Sequence, residues 1–202
     1  DIQVLNYFKL KSKKPANLKP WKKITKITLN TKRHINIAII GKYVELKDAY
    51  KSLDEALTHG GIANNIKVRL VRIDSEKLKS SDIKNKLKNI SGVLIPGGFG
   101  KRGTSGKIES IRYARVNKIP FLGICYGMQM AIIEFARNVL GLNGANSTEF
   151  DADTPHPTVI FMPEGSRTHM GGTMRLGTKP TPFLVDDCKI RRLYHGAEHV
   201  DE

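Results

Sequence analysis

Apolar runs of strand length alternate with amphipathic stretches along residues 35–140 of the chain. The runs are rich in β-branched residues, as buried parallel strands are, and they lie at 35–43, 67–73, 91–96 and 120–124. The stretches between and after them place apolar residues three or four positions apart, as helices do, and they lie at 45–61, 75–90, 108–118 and 127–140. This alternation predicts an α/β fold with a doubly wound, mostly parallel sheet, in which ligands bind at the carboxyl ends of the strands.

Residues 1–33 have a different character. The segment is interrupted by Pro15 and Pro20, with Trp21 as a single apolar anchor. Ten of the 34 Lys and Arg residues lie there against a single acid, so it carries most of the chain's net charge of +15. We therefore expect a solvated basic linker rather than a nucleic-acid-binding arm, followed by one domain over residues 34–202.

Composition excludes several classes of protein. No apolar run approaches the length of a membrane span and none leads the chain, so we expect neither a membrane partner nor secretion. The two cysteines, Cys125 and Cys188, lack CxxC partners and histidines at ligand spacing. We therefore expect reduced thiols, a cytoplasmic location and no metal site.

Cys125 is the strongest candidate for a reactive residue. In GICYG (123–127) it lies between a predicted strand and a predicted helix, with a glycine two residues away on either side. This pattern is typical of a nucleophile elbow, a tight turn that strains its central residue and that only small flanking residues allow. The first helical amides favour the thiolate, and the Tyr126 amide is a candidate oxyanion donor. A small core thiol is the alternative for Cys125 and is our interpretation of Cys188.

A second glycine-rich site, PGGFG (96–100), follows the third predicted strand. Adjacent glycines allow a backbone amide to approach a ligand closely. If the third and fourth strands are neighbours, the amides of Gly97 and Gly98 face Cys125 and supply a second oxyanion donor. GGFGKRG lacks the GxGxxG spacing and the chain has no Walker motif, so a plain turn is the remaining alternative.

The pattern weakens beyond residue 141. We predict a strand at 156–163, a loop or hairpin at 169–177 and irregular structure over the last 25 residues. A cysteine nucleophile needs a base, but the histidines downstream of Cys125 follow no clear strand. They are His156, His169, His195 and His199, of which His199 lies two residues before an acid, in a polar tail.

Several segments resemble the glutamine amidotransferase domain of the CTP synthase family. They are VLIPGGFGKRGTSGKI (93–108), PFLGICYGMQMAIIEFARNVLG (120–141), ANSTEFD (145–151) and HMGGTMRLG (169–177), together with IGKY (40–43) and LKPWKK (18–23). The resemblance covers nearly the whole chain. It implies a flavodoxin-like class-I amidotransferase fold, lacking its C-terminal part, that the segment 1–33 joins to a synthase domain of the same polypeptide.

The resemblance implies hydrolysis of glutamine to glutamate and ammonia through a γ-glutamyl thioester on Cys125. The ammonia then serves the synthase domain, which binds ATP, Mg²⁺ and UTP and makes CTP for pyrimidine biosynthesis, in an enzyme that is a homo-tetramer. Carried over by position, the Gly98 and Tyr126 amides form the oxyanion hole, and Gly98, Gln129 and Glu149 bind glutamine. No cofactor is implied in this domain itself.

The resemblance also implies a regulatory lid with GTP as the activator, built from Lys101, Arg102, Gly103 and Lys107, whose cationic groups suit phosphates. A solvated surface loop is the alternative. Two features depart from the family pattern: Ser105 replaces an acidic residue of the lid, and no His-Pro-Glu motif, which carries the family's general base, occurs in these 202 residues. We therefore expect little or no glutaminase activity from this stretch alone.

Three other functions are compatible with parts of the pattern. One is a γ-glutamyl hydrolase, or a class-I amidotransferase with a different acceptor. Another is a catalytically silent scaffold domain. The third is a basic nucleic-acid-binding module.

Overall fold

The predicted alternation of strands and helices is present in the computed structural model, which describes every residue except 1, 12, 13, 15, 45, 47, 162–176 and 202. The described strands are β1 (His34–Gly41), β2 (Lys67–Asp74), β3 (Gly92–Ile95), β4 (Phe121–Gly123), β5 (Asn146–Ser147), β6 (Pro157–Val159), β7 (Pro180–Pro182) and β8 (His199–Asp201). The described helices are α1 (Ile2–Tyr7), α2 (Lys19–Asn30), α3 (Lys51–Ala63), α4 (Ser80–Lys86), α5 (Thr104–Val116), α6 (Tyr126–Asn138) and α7 (Lys189–Leu193).

Strands β1 to β4 form a parallel sheet in the order β2-β1-β3-β4. β1 pairs with β2 from His34 opposite Lys67 to Gly41 opposite Asp74. The chain then crosses back over β1 to reach β3, so the direction of winding reverses between β1 and β3. Since parallel strands end at the same edge, the loops that follow β1 to β4 gather there.

The core lies between the sheet and helices α5 and α6. It combines residues of the central strands with one face of each helix, and includes Ala38, Ile40, Val93, Ile95, Ile108, Ile111, Met130 and Ile133. Full burial of an aliphatic side chain of this size stabilises the fold by about 1.5–3 kcal/mol relative to exposure. This packing holds the start of α6 against the ends of β3 and β4.

The starts of two helices differ from the prediction for local reasons. α4 begins later than residue 75 because the Asp74 carboxylate accepts a 2.8 Å hydrogen bond from the Glu76 amide and closes a turn after β2. α5 begins before residue 108 because Gly103, with φ +70°, ends the preceding loop in a left-handed conformation. Residues 104–107, which precede the predicted helix at 108–118, therefore belong to α5.

The N-terminal segment contains α1 and α2, and α2 has no buried residue. Trp21 is 66% exposed, so the prediction that it anchors the segment is wrong. Ile27 is the half-buried residue of α2, and it lines a cleft with Ile62 of α3 and Val68 of β2. The helical period places Ile27 on the contacting face and leaves Trp21 off it.

The chain divides into two compact units, Asp1–Ile160 and Phe161–Glu202. A domain boundary after residue 33 therefore stays a prediction. In the first unit, the strand predicted at 156–163 is the shorter β6, which pairs with β5. Residues 162–163 and all but the last residue of the predicted loop at 169–177 lie outside the described residues.

The second unit is more regular than the sequence predicts. β7 and β8 form an antiparallel pair, with α7 between them in the chain. The Arg191 side chain donates to the Ala197 carbonyl at 3.0 Å and pairs with Asp186, which ties α7 to the segments on both sides. The prediction of irregular structure over the last 25 residues is therefore wrong.

None of the helices in the described part of the chain is long and apolar enough to cross a membrane.

An ion pair between the partly exposed Arg115 of α5 and the buried Glu134 of α6 joins the two helices. The Arg115 guanidinium donates to both oxygens of the Glu134 carboxylate, from Nη2 to Oε1 at 2.7 Å and from Nε to Oε2 at 3.0 Å and to Oε1 at 3.2 Å. The Glu134 side chain is 1% exposed, and Asn138 Nδ2 donates a further bond to Oε1 at 3.2 Å. The hydrogen bonds to Glu134 raise the pKa of Arg115 above its ordinary value.

We expect Arg115→Met to lower the free energy of unfolding by about 3 kcal/mol, because it leaves the buried Glu134 carboxylate without its cation. Arg112→Met is the matched control, since Arg112 pairs with Glu109 at 3.7 Å on a more exposed face and its loss should cost less than about 1 kcal/mol. Urea denaturation followed by circular dichroism measures both values. Equal losses in the two variants would contradict a special contribution from the pair with the buried Glu134.

Candidate active site

Cys125 lies between the end of β4 and the start of α6, with its side chain exposed. Its backbone has φ 50° and ψ −104°, a conformation that residues other than glycine rarely adopt. Such strain costs on the order of 1–3 kcal/mol and persists only where the surrounding structure imposes it. Here the Gly127 amide donates to the Ile124 carbonyl at 2.9 Å, and the Gln129 amide donates to the Cys125 carbonyl at 3.1 Å.

Close backbone contacts require both glycines that flank Cys125. A β-carbon at Gly127 would lie 2.2 Å from the Ile95 carbonyl oxygen of β3. One at Gly123 would lie 2.5 Å from the Gly127 carbonyl carbon. These neighbours are backbone atoms of a strand and a helix, so they have little freedom to move aside. The predicted turn geometry is therefore present at Cys125.

The loop after β3 faces the turn that carries Cys125, because β3 and β4 are neighbours in the sheet. A β-carbon at Gly97 would lie 3.9 Å from the Cβ of Cys125, whereas one at Gly98 would meet nothing within 4 Å. Both glycines are exposed. The loop backbone therefore borders open space beside the Cys125 side chain.

Three polar side chains from other elements hold the backbone of this loop. Lys42, directly after β1, donates from Nζ to the Phe99 carbonyl. The Tyr126 hydroxyl donates to the Gly100 carbonyl at 2.6 Å, and the Gly100 amide donates to Glu149 Oε1 at 2.8 Å. The Phe99 side chain is exposed, so these hydrogen bonds rather than apolar packing fix the end of the loop.

Lys107 lies in α5 and is 2% exposed, with Nζ 5.0 Å from the centre of the Tyr126 ring. No described residue accepts a hydrogen bond from its ammonium group. Burial, and secondarily the neighbouring Lys42, lowers the pKa of Lys107 to about 8. The early start of α5 turns Lys107 into the core, so it is not a solvent-exposed cation of the loop. A role for Lys107 in a regulatory lid stays a prediction.

Lys101, Arg102 and Gly103 form the turn before α5. The two cationic side chains are exposed, and Arg102 Nη1 lies 3.5 Å from Glu76 Oε1. A β-carbon at Gly103 would lie 2.4 Å from Ser75 Oγ, and its φ of +70° also favours glycine. A regulatory role for this turn stays a prediction.

The two side chains predicted to bind the substrate lie on different elements near the turn. Gln129 is half-buried in the first turn of α6, and its backbone N–H donates a hydrogen bond to the Cys125 carbonyl. Glu149 is half-buried after β5, and its contact with Gly100 brings it to the glycine-rich loop. Within the described chain, no hydrogen bond joins the Gln129 side chain to Glu149. Their roles toward a ligand stay predictions.

None of the described histidines of the first unit is hydrogen-bonded to Cys125. His34 begins β1 at the opposite end of the sheet, His59 lies on α3 and His156 precedes β6. The others are His169, outside the described residues, and His195 and His199, in the second unit. Among the described residues, no group of three or more His, Cys, Asp or Glu side chains is arranged to hold a metal ion.

Sequence reasoning did not single out Lys42 or the hydroxyl of Tyr126. A signal existed for Lys42, since it follows β1 directly and so lies at the edge where ligands bind in parallel sheets. No local signal existed for the Tyr126 hydroxyl, because its acceptor, Gly100, lies 26 residues away in the chain.

The fold, the strained cysteine and the facing glycine-rich loop agree with a comparison against protein families. Residues 45–202 match the family model described as glutamine amidotransferase class-I. Because this match covers most of the chain, the chain belongs to the class-I glutamine amidotransferase family.

Within that family, the chain is homologous to the glutaminase domain of CTP synthases. It is 68% identical to the CTP synthase of Pelagibacter ubique (strain HTCC1062) and 51% identical to that of Aquifex aeolicus (strain VF5). These alignments cover 96% and 87% of this chain but 37% and 32% of the relatives, so the chain spans about a third of their length.

A solved structure supports the same assignment. The glutaminase domain of Trypanosoma brucei CTPS, with bound acivicin, matches the fold with a TM-score of 0.74 at 33% identity. The match covers 83% of this chain and 65% of that chain.

We expect Lys107→Met to raise the free energy of unfolding at pH 7 by up to about 3 kcal/mol. The Lys107 ammonium keeps its proton up to about pH 10.5 in the unfolded chain and only up to about pH 8 in the fold, so folding at neutral pH buries a charge. The unmodified protein should therefore gain stability as pH rises from about 8 to about 10.5, and the variant should lack this rise.

Urea denaturation at pH 7 and at about pH 9.5 measures both effects. Lys88→Met is the control, because Lys88 is exposed and its replacement should change stability by no more than about 0.5 kcal/mol at either pH. A Lys107→Met protein less stable than the unmodified one at pH 7 would overturn the expectation.

Proposed function

We propose that this chain is the glutamine-hydrolysing part of an enzyme that makes CTP, with Cys125 as the nucleophile. The observation that carries the proposal is the strained backbone of Cys125, which presents an exposed thiol at the start of α6 and beside the glycine-rich loop. The first amides of a helix favour a negative charge, and therefore the thiolate, at this position.

The proposed chemistry proceeds through a thioester. The Cys125 sulfur bonds to the carboxamide carbon of glutamine, and the carbonyl oxygen becomes an oxyanion. The carbon–nitrogen bond then breaks, and the nitrogen takes a proton and leaves as ammonia. Water adds to the thioester, which releases glutamate and restores the thiol. The resemblance assigns the proton transfers to the His-Pro-Glu histidine of the family, and no described residue is assigned this role.

The oxyanion hole is proposed to consist of the Gly98 and Tyr126 amides. Tyr126 directly follows the nucleophile, and its amide has no hydrogen-bond acceptor among the described residues. Gly98 lies in the exposed loop beside Cys125, where a β-carbon would meet no neighbour. One such donor is typically worth about 10²- to 10³-fold in rate.

Gly98, Gln129 and Glu149 are proposed to bind the amino-acid end of glutamine. Glu149 uses one carboxylate oxygen for the Gly100 amide, and its second oxygen can pair with the α-ammonium of the substrate. Gln129 lies one turn of α6 beyond Cys125 and can donate to the substrate carboxylate.

The wider protein is proposed to be a cytoplasmic homo-tetramer in which a synthase domain binds ATP, Mg²⁺ and UTP and uses the ammonia. The names of the relatives favour UTP as the acceptor over the acceptors of other class-I amidotransferases. The exposed Lys101 and Arg102, with Gly103, are proposed to respond to GTP, whose phosphates suit these cations.

In the full-length protein, Cys125→Ala should reduce CTP formation from glutamine by more than about 10³-fold. CTP formation from added ammonium chloride should persist, because ammonia bypasses the thioester. Coupled assays of glutamate release and CTP formation measure both activities.

Cys188→Ala is the control for loss of a thiol, because the Cys188 sulfur accepts a hydrogen bond from the Arg191 amide at 3.4 Å and caps a short helix. It should retain both activities. Undiminished glutamate release by Cys125→Ala would show that Cys125 is not the nucleophile. Full biological function of the Cys125→Ala protein would favour a catalytically silent scaffold.

Glu149→Gln should raise the KM for glutamine by about 10- to 100-fold, because the neutral amide cannot form a charge-assisted bond with an α-ammonium. The amide oxygen can still accept from the Gly100 amide, so kcat should change much less. Steady-state kinetics of glutamate release separates the two parameters. Asp151→Asn, at an exposed carboxylate nearby, is the control, and an equal KM increase there would contradict the assignment.

A further inference from the structure

We propose that the Tyr126 hydroxyl is a positioning group that links the two halves of the oxyanion hole, through its hydrogen bond to the Gly100 carbonyl. The inference rests on the proposed function, which assigns one oxyanion donor to the Tyr126 amide and the other to Gly98. Tyr126 thus supplies one donor from its backbone and fixes the loop that carries the other donor with its side chain.

The loop needs such a contact because its own sequence does not fix it. Gly97, Gly98 and Gly100 have wide backbone freedom, and the Phe99 side chain is 68% exposed. An amide is useful as an oxyanion donor only when it is held in place before the reaction. The positions of the loop amides therefore depend on the groups that bind its carbonyls and amides.

Tyr126 provides the most rigid of these contacts. Its side chain is 1% exposed, and its ring meets the Phe150 ring edge-on at 6.0 Å. The other two groups that hold the loop, Lys42 and Glu149, have unbranched, flexible side chains that are only partly buried. The 2.6 Å bond from the Tyr126 hydroxyl thus joins the loop to the core of the sheet.

Two ammonium groups lie close to the same ring. The Nζ atoms of Lys42 and Lys107 are 5.8 Å and 5.0 Å from its centre, within the range of cation–π attraction. The Lys107 ammonium has no hydrogen-bond acceptor among the described residues, so the ring is its nearest assigned partner. Burial, and secondarily Glu149, raises the pKa of Tyr126, so the hydroxyl stays protonated and able to donate.

The test is Tyr126→Phe in the full-length protein, which removes the hydroxyl and keeps the buried ring. We expect kcat for glutamine hydrolysis to fall about 10-fold with KM changed less than about two-fold, because the loop still has two other contacts. The rate of Cys125 alkylation by iodoacetamide should not change, since that displacement forms no oxyanion. Tyr113→Phe, at a half-buried tyrosine of α5, is the matched control and should change none of these values.

Lys42→Met is the second variant, because it removes a different contact to the same loop and leaves Tyr126 intact. It should also lower kcat while the alkylation rate stays the same. An unchanged kcat in Tyr126→Phe would overturn the proposal, and so would a parallel fall in kcat and alkylation, which would indicate damage to the turn itself. If the proposed function itself were wrong, the Cys125→Ala protein would still release glutamate, and this result is distinct from those of the Tyr126 and Lys42 variants.

Discussion

The contact between Gly127 and the Ile95 carbonyl determines the geometry of the candidate site. A β-carbon at Gly127 would lie 2.2 Å from that oxygen, so α6 starts directly against β3. The chain therefore has only Ile124 and Cys125 in which to turn from β4 into α6, and Cys125 takes the strained conformation. The cysteine side chain faces outward, whereas the next side chain, Tyr126, enters the core and is 1% exposed. Burial of the tyrosine is of the same order as the strain, about 1–3 kcal/mol, and offsets it.

A buried charge normally has a hydrogen-bond or ion-pair partner, and Lys107, beside Tyr126, departs from this rule among the described residues. Lys107 brings an ammonium group into a low-dielectric region near the start of α5, where the helix dipole also disfavours a cation. The adjacent Lys42 makes the cost larger, as the lowered pKa of Lys107 indicates. The Tyr126 ring, which lies near both ammonium groups, offsets part of this cost. Unfavourable features such as a buried, unpaired charge concentrate at functional sites. The Lys107 ammonium lies near Tyr126, the residue that follows the proposed nucleophile.

The parts of the structure that local patterns determine were predicted from the sequence. The four strands and the turn at Cys125 follow from apolar periodicity and glycine spacing. The adjacency of β3 and β4 was only a condition of the prediction, and the structure supplies it. Failures occurred where a distant residue decides the outcome. Lys107 belongs to a helix because Gly103 ends the preceding loop early. The last 25 residues contain paired strands and hydrogen bonds from Arg191, and neither leaves a periodic pattern in the sequence. The contact from Tyr126 to Gly100 was missed because its acceptor is a backbone carbonyl.

The Gly100 peptide lies between the residue proposed to bind the substrate and the residue proposed to form the oxyanion hole. Its carbonyl accepts from Tyr126, and its amide donates to Glu149, the residue proposed to bind the α-ammonium of glutamine. In the proposed complex, the substrate ammonium pairs with the second oxygen of Glu149, while the first oxygen keeps its bond to the Gly100 amide. The pair with the ammonium therefore contributes to the binding of glutamine, whereas the bond to the Gly100 amide keeps the loop in position. The same connection explains why a carboxylate suits this position better than a neutral acceptor, since only the charged group serves both partners strongly.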